Sequence, residues 1–333
     1  MNQNIIIGSI GTYTPNKQIN NSFYISHFKN LGVEVSGLLK HLSRETRCIA
    51  DHNTENVITM AYEAAIKALK SANLDSNEID LLIFCTDSPE QLTPTNALLL
   101  HDKLNTNNAN QIFDINSNCI GMLSGIDVAS RILTNNSRIK KALVVGSFMG
   151  SLMASKFDPI CYSNFGDAAV AVILYKTEEP DKRGFIDANF KTNTIYKDLY
   201  RFPSCGFSQM YNPNLDIEDK KLKANSFDMS IICKDWIDLM NSLFIRYDVD
   251  KHSIKQYFFS QFSKPDTEKT LEMMGLELNK YTYIGNKYGY TGLTGPLLAY
   301  NEALSNKSIH TGDYIMFCSM GAGYNLCALL YRL

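Results

Sequence analysis

At 333 residues the chain is long enough for two core-forming units of ordinary size. Hydrophobic residues make up 45% and charged residues 20%, and the formal net charge of −2 comes without any block of like charge. That is the balance of a soluble globular protein, and it gives no electrostatic reason to expect a nucleic-acid partner. The amino terminus has no basic start, and its apolar run Ile5-Ile6-Ile7 stops at Gly8, so it reads as a first strand rather than a signal peptide. The longest apolar run, Ala168–Tyr175, fits a buried strand and falls far short of the roughly 20 residues that span a bilayer. The expectation is a cytoplasmic protein with no membrane insertion.

Apolar runs and amphipathic segments then alternate along the chain. Residues 55–71 place Val57, Met60, Ala61, Ala64, Ala65 and Leu69 on one helical face. Asp80–Cys85 reads as a buried strand, Thr95–Leu104 as a helix and Gln111–Ile115 as a strand. Gly121–Leu133 follows as a helix, Lys141–Gly146 as a strand and Asp167–Tyr175 as the last strand of this half. The second half reads as a looser copy. A strand starts at Phe185, Ser226–Phe244 is a long helix with Trp236, and Gln256–Phe259 is a strand. Helices follow at Pro265–Met274 and Pro296–Leu304, with closing strands at Tyr314–Cys318 and Asn325–Tyr331. This order predicts mostly parallel, helix-covered sheets in two related halves, 1–176 and 177–333, with a joint around 176–184. Residues 191–225 lack periodicity and read as an insertion or loop.

The eight cysteines are scattered, with no CxxC pair and no Cys/His cluster at zinc spacing, so no metal is expected. Cys85, Cys318 and Cys327 sit in apolar strand-like runs and read as small buried hydrophobes. Cys119 differs. In Phe113-Asp114-Ile115-Asn116-Ser117-Asn118-Cys119-Ile120-Gly121-Met122 a strand ends in small polar residues and a cysteine stands where a helix begins. Unpaired amides and the helix dipole at such an end lower a thiol's pKa and favour attack on a thioester. A buried cysteine near a helix cap is the plainer reading of that spacing.

The pattern FDxxxxCxGM at 113–122 occurs in order with ALVVGS at 142–147, FGDAAVAVIL at 165–174 and MGAGY at 320–324. Upstream, SRETRCIA at 43–50 and DLLIFCTDSPE at 80–90 keep the same register. Together they resemble the β-ketoacyl-ACP synthase III family of the thiolase superfamily over essentially the whole chain. The resemblance implies a five-layer αβαβα fold from two duplicated halves, usually a dimer, with Cys119 accepting an acyl group from a carrier thioester. It also implies an oxyanion hole made by the backbone amides of Cys119 and Ala322, which survive a change of side chain.

Two departures stand out. The family's PHQ-like stretch corresponds to Phe258-Phe259-Ser260-Gln261-Phe262-Ser263, which puts Gln261 at the histidine position. The GN(T/S) loop reads Gly289-Tyr290-Thr291, which puts Tyr290 at the asparagine position. No histidine lies between 253 and 309. Gln261 and Tyr290 can each donate a hydrogen bond, but neither titrates near neutral pH as imidazole does. Residues 36–41 carry no tryptophan to stack on an adenine, which favours a carrier-protein phosphopantetheine thioester over coenzyme A as the substrate. Arg44 and Arg47 are candidates to meet the phosphopantetheine phosphate, or else are surface ion-pair formers.

The expected function is therefore an acyltransferase or condensing enzyme of ketosynthase III type, in fatty-acid-like or secondary-metabolite biosynthesis. It takes an acyl group onto Cys119, holds no bound cofactor and decarboxylates malonyl thioesters poorly. The expected partners are an acyl carrier protein and a second ketosynthase-like chain, in a homodimer or heterodimer to which the apolar Lys141–Gly146 region contributes. The alternative is a catalytically silent subunit of a heteromeric complex.

Overall fold

Apolar side chains that alternate in a strand must find a core on each face, and the strand Leu81–Cys85 does so. Leu81, Ile83 and Cys85 enter one hydrophobic core while Leu82 and Phe84 enter another. The computed structural model describes residues 1–225 and 230–333. Among these, nine strands form one hydrogen-bonded sheet: β1 Asn2–Tyr13, β2 Leu81–Cys85, β3 Gln111–Ile115, β4 Lys141–Met149, β5 Asp167–Glu179, β6 Gly184–Thr192, β7 Ile254–Phe259, β8 Tyr314–Gly321 and β9 Asn325–Arg332. Their spatial order is β7-β8-β9-β6-β1-β5-β4-β2-β3. The two parts of this sheet meet only where Ile5 pairs with Gly184. Strand β5 runs to Glu179 and a four-residue connection, 180–183, leads into β6, so residues 176 and 177 lie within a strand.

Five layers follow from where the apolar faces go. Helix α1, Val57–Ala72, covers one outer face together with α2, Asn96–Leu104. Helix α3, Gly121–Asn135, fills the central layer. Helices α4, Ser230–Tyr247, and α5, Lys264–Met273, cover the opposite outer face. The central layer is completed by α6, Gly295–Ser305. The expected α1 face is buried as the spacing demands, and Asn56 caps the helix by accepting from the Ile58 and Thr59 amides. The first four residues of the expected 226–244 helix lie outside the described residues; the helix is described from Ser230.

Two expectations about the sheet are corrected. It is mixed rather than mostly parallel: β4–β2, β2–β3 and β7–β8 run parallel, while β1–β5, β4–β5, β8–β9 and β9–β6 run antiparallel. The cause is visible in the connections. A three-residue turn at 322–324 joins β8 to β9, too short for a helical crossover. The segment Lys141–Gly146 is no interface strand, because β4 lies between β5 and β2 with Ala142 to Val145 fully buried. The free edges of the sheet are β3 and β7.

Candidate active site

The parallel strands β2 and β3 end together, and the chain leaves β3 through Asn116 and Ser117 into a short 3-10 turn at Asn118–Ile120. Asn118 takes a left-handed backbone (φ 53°), which turns Cys119 out at the carboxyl ends of the strands just ahead of α3. Carboxyl ends of parallel strands are where open α/β sheets place ligands. The β8–β9 turn meets this corner from the other half of the chain. Asn118 Nδ2 donates to Ala322 O at 3.2 Å, and Ser319 Oγ donates to Cys119 O at 2.9 Å. Gly321 permits the approach: a Cβ there would stand 3.1 Å from both Asn118 Cβ and Ser117 O.

Cys119 is half-buried, and its free surface faces a cavity of about 460 Å³. The backbone amides of Ala322 and of Cys119 itself, and the Tyr290 hydroxyl, lie near the sulfur and favour its ionised form. Burial nonetheless pushes the thiol up to about 12, and the negative charge of Asp87 pushes the same way. The expectation of a thiol acidified by the helix end is thus corrected. Three donors favour the thiolate, but loss of water outweighs them.

Tyr290 lines the same cavity as Cys119. Its backbone is clamped between Asn164 and Gly166, donating to Asn164 O at 2.7 Å and accepting from the Gly166 amide at 2.9 Å. Its ring lies among Phe148, Phe165 and Phe262, with centroids 6.3, 5.6 and 5.1 Å away. Burial, with Cys119 beside it, raises the phenol well above its ordinary value, so it stays a neutral donor.

Gln261 is a correction. Its side chain is turned away from Cys119 and spent on the backbone. Nε2 donates to Phe259 O at 2.8 Å, and Oε1 accepts from the Ile284 amide at 2.9 Å. Ser260 and Phe262, one residue to either side, face the Tyr290 side instead. Phe262 lines the cavity, and Ser260 lies near the Tyr290 phenol with its Oγ buried and without a hydrogen-bond partner. Of these three residues it is therefore Ser260 and Phe262, and not Gln261, whose side chains are turned to the Tyr290 side.

Arg44 and Arg47 are corrected as well. Both are buried, at 2% and 0% exposure, so neither can meet a phosphate at the surface. Arg44 donates through Nε to Asn164 Oδ1 at 3.2 Å, through Nη1 to Tyr283 at 2.6 Å, and through Nη2 to the carbonyls of Gln261 and Phe262 at 2.7 and 2.8 Å. Arg47 donates to the Ser163 carbonyl and to Asn21, with its guanidinium 4.6 Å from the centroid of the Tyr24 ring. Burial lowers both guanidinium values, that of Arg47 to about 10. They are the internal frame of the site. Asp167 of the FGD motif is another frame residue, accepting from the Ala50 and Ser151 amides.

Sequence reasoning missed two sets of residues. The segment 199–206, read as part of a featureless loop, walls the cavity opposite Cys119, with Leu222 beside it. Its short strand Tyr200–Arg201 pairs with Lys223–Ala224, and no periodicity could announce a strand of two residues. Asp87 also lines the cavity, and its Oδ1 is buried without a hydrogen-bond partner. A carboxylate within DLLIFCTDSPE was the available signal. Cys85, Cys318 and Cys327 are buried, as their apolar contexts required. Among the described residues, no group of His, Cys, Asp and Glu side chains is arranged to hold a metal ion, and no helix is long and apolar enough to cross a membrane.

A family model for 3-oxoacyl-[acyl-carrier-protein (ACP)] synthase III matches residues 113–194, and the model for the C-terminal part of that family matches residues 246–333. Together they take in just over half of the chain. The chain belongs to the 3-oxoacyl-[acyl-carrier-protein] synthase III family. The β-ketoacyl-[acyl-carrier-protein] synthase III of Clostridium botulinum (strain Loch Maree / Type A3) is 27% identical over 330 residues, covering 96% of each chain. That of Actinobacillus succinogenes is 26% identical, covering 87% of each. The solved structure of the synthase III from Aquifex aeolicus superposes with a TM-score of 0.85 at 22% identity, covering 100% of both chains. A structure of OleA from Xanthomonas campestris with bound lauric acid and lauroyl-CoA gives 0.82 at 20%, also over 100% of both chains. These likenesses establish the thiolase-like five-layer fold. The synthase III family is one of acyl-transferring condensing enzymes, and that is the general type of this chain.

Proposed function

We infer that the chain takes an acyl group from an acyl-carrier thioester onto Cys119 and passes it to an acceptor, with malonyl decarboxylation impaired. The observation that carries this reading is the asymmetry around Cys119. The amides of Cys119 and Ala322 lie near the sulfur, on the side where a thioester carbonyl is polarised, while among the described residues no histidine lines the cavity. Acyl transfer needs a nucleophile, an oxyanion hole and a proton acceptor. Decarboxylation also needs side-chain donors aimed at an enolate oxygen, and Ser260 and Tyr290 stand there instead of imidazole and amide. Losing one preorganised donor costs on the order of 10²–10³ in rate. The thioester is supplied by an acyl carrier protein, which places the chain in fatty-acid-like or secondary-metabolite synthesis.

The test is intact-mass measurement after incubation with acetyl, malonyl, hexanoyl and dodecanoyl carrier-protein thioesters. One acyl mass is expected on the unaltered chain and none on Cys119→Ala. An adduct that persists in Cys119→Ala would overturn the assignment.

The raised Cys119 thiol favours a second reading, a silent subunit beside an active ketosynthase. It requires that no thioester load the chain and that a catalytic partner co-purify with it. In either case the unpaired edge of β3 is the natural seam for a dimer, since pairing with a second edge satisfies its open amides and carbonyls.

A further inference from the structure

We propose that Asp87 is the proton acceptor that allows Cys119 to attack the thioester, occupying functionally the place left empty by the missing imidazole. This rests on the reading of Cys119 as the acyl site.

The geometry comes first. Asp87 follows the end of β2, at the same carboxyl-end corner from which Cys119 emerges. Its two neighbours are fixed: the Thr86 amide donates to Ile115 O at 3.1 Å at the end of β3, and Ser88 Oγ accepts from the Met149 amide at 2.9 Å. The Ser88 amide in turn donates to Thr86 Oγ1 at 3.1 Å. The backbone on either side is thus held, yet the carboxylate it carries is left with Oδ1 buried and unpartnered, in the wall of the Cys119 cavity. An unsatisfied carboxylate oxygen is costly in such a place, and a catalytic role is one of the reasons for which native proteins keep one.

The other titratable groups lining the cavity are Cys119, Tyr200, Arg201, Cys205, Tyr290 and Tyr324. The two phenols nearest Cys119, Tyr200 and Tyr290, are pushed well above their ordinary range by burial and hold their protons. Arg201 carries a guanidinium, which has only N–H donors and no acceptor to take a proton. Among the described residues, Asp87 is the one carboxylate in the wall, and its charge is felt by both Cys119 and Tyr290. Burial raises its carboxyl to about 6, which leaves it ionised at neutral pH yet basic enough to take a proton.

The step balances without an oxidant or cofactor. As Cys119 Sγ bonds to the thioester carbon, its proton passes to the Asp87 carboxylate, directly or across one water. The tetrahedral intermediate collapses, the bond from carbon to the carrier sulfur breaks, and Asp87 returns the proton to the departing thiolate. The products are acyl-Cys119 and a free carrier thiol.

The experiment follows the rate of Cys119 acylation by quenched intact mass between pH 5 and 9, with the same panel of carrier thioesters. The unaltered chain should gain rate as pH rises through about 6. Asp87→Asn should lose that limb and load on the order of 10²-fold more slowly. Asp87→Ala should be partly rescued by added formate, which a merely structural role would not allow. Equal loading by Asp87→Asn and the unaltered chain, or a slowed variant that keeps the limb near pH 6, would overturn the role of Asp87 alone. Failure of the unaltered chain to load from every thioester would instead overturn the acyl-site reading, and the role of Asp87 with it.

Discussion

The two sides of the Cys119 site are built from different material. On one side stand backbone groups: the 3-10 turn at Asn118–Ile120 and the Gly321–Tyr324 turn, locked together by Asn118 and Ser319. On the other stand side chains: Ser260, Tyr290 and Phe262, propped from behind by Arg44. The backbone side matches the family's motif, and the side-chain side departs from it. An amide can be supplied by many sequences provided the turn is kept, whereas an imidazole can be supplied by one residue only. Chemistry carried by backbone therefore outlasts chemistry carried by side chains, and that is why acyl loading and enolate formation are expected to separate here.

The sharpest break between the two sides is Arg44→Ala. Removing the guanidinium strands Asn164 Oδ1 and the carbonyls of Gln261 and Phe262 in the interior, while the Tyr283 hydroxyl keeps only its bond to Leu42 O. Breaking a buried charged network of this kind costs about 3–5 kcal/mol. Urea titration followed by circular dichroism should show a loss of that size. A residue that only met a carrier phosphate would leave stability unchanged and raise KM alone, so an unaltered midpoint would return Arg44 to carrier binding.

Next in size is the attempt to rebuild the family's side-chain half. Ser260→His with Tyr290→Asn should raise carbon dioxide release from malonyl carrier protein by on the order of 10²–10³. Gln261→His with Tyr290→Asn should not, because the position of residue 261 turns it toward the Ile284 amide and the Phe259 carbonyl. The pair of double variants decides the register directly: a gain from the Gln261 pair and none from the Ser260 pair would reverse it.

That register marks where the sequence stopped being readable. The layers were legible because strands such as Leu81–Cys85 are apolar throughout and helices such as Val57–Ala72 repeat every three to four residues. Cys119, Tyr290 and the Gly-rich turn were legible because they sit in motifs with glycine at fixed spacing. Ser260 was not, since the stretch after β7 contains no glycine or proline to fix its phase before Pro265, and one residue of slip reverses which side chain faces the site. The roles of Arg44 and Arg47 were hidden for another reason. An arginine in a polar motif reads the same whether its partners are phosphates or internal carbonyls, and only long-range contacts such as Arg44 to Phe262 separate the two.

A smaller effect tests the cost of the cavity's carboxylate. The folded Asp87 carboxyl lies at about 6, above its ordinary 3.8. Between those values the unfolded chain gives up its proton while the folded chain keeps it, so stability falls as pH rises through that window. Asp87→Asn removes the penalty. It should therefore be more stable than the unaltered chain by about 1–2 kcal/mol at pH 7 to 8, a figure discounted for water in the cavity, and the two should converge below pH 4. Thermal unfolding at pH 3.5 and 7.5 measures the difference. A variant that is more stable and less active would mark Asp87 as a group retained for chemistry; one that is less stable at pH 7.5 would mean that the carboxylate has a partner and a structural purpose.

The smallest expected effect bears on the backbone side itself. Gly321 is needed not for an unusual φ but for room: a Cβ there would stand 3.1 Å from Ser117 O and Asn118 Cβ, and 3.4 Å from the Cys119 amide nitrogen. Those contacts are tight without being impossible, so Gly321→Ala should fold, with the 322–324 turn displaced by a few tenths of an ångström and stability lowered by about 1 kcal/mol. The same displacement carries the Ala322 amide away from Cys119. If that amide helps to hold the oxyanion, acylation should slow by roughly tenfold, part of the 10²–10³ that a donor is worth when removed outright. The limb near pH 6 should remain, because Asp87 is untouched. Unchanged acylation in a variant with the expected loss of stability would mean that the Cys119 amide polarises the thioester without help from the turn, and that the backbone side of the site is one donor rather than two.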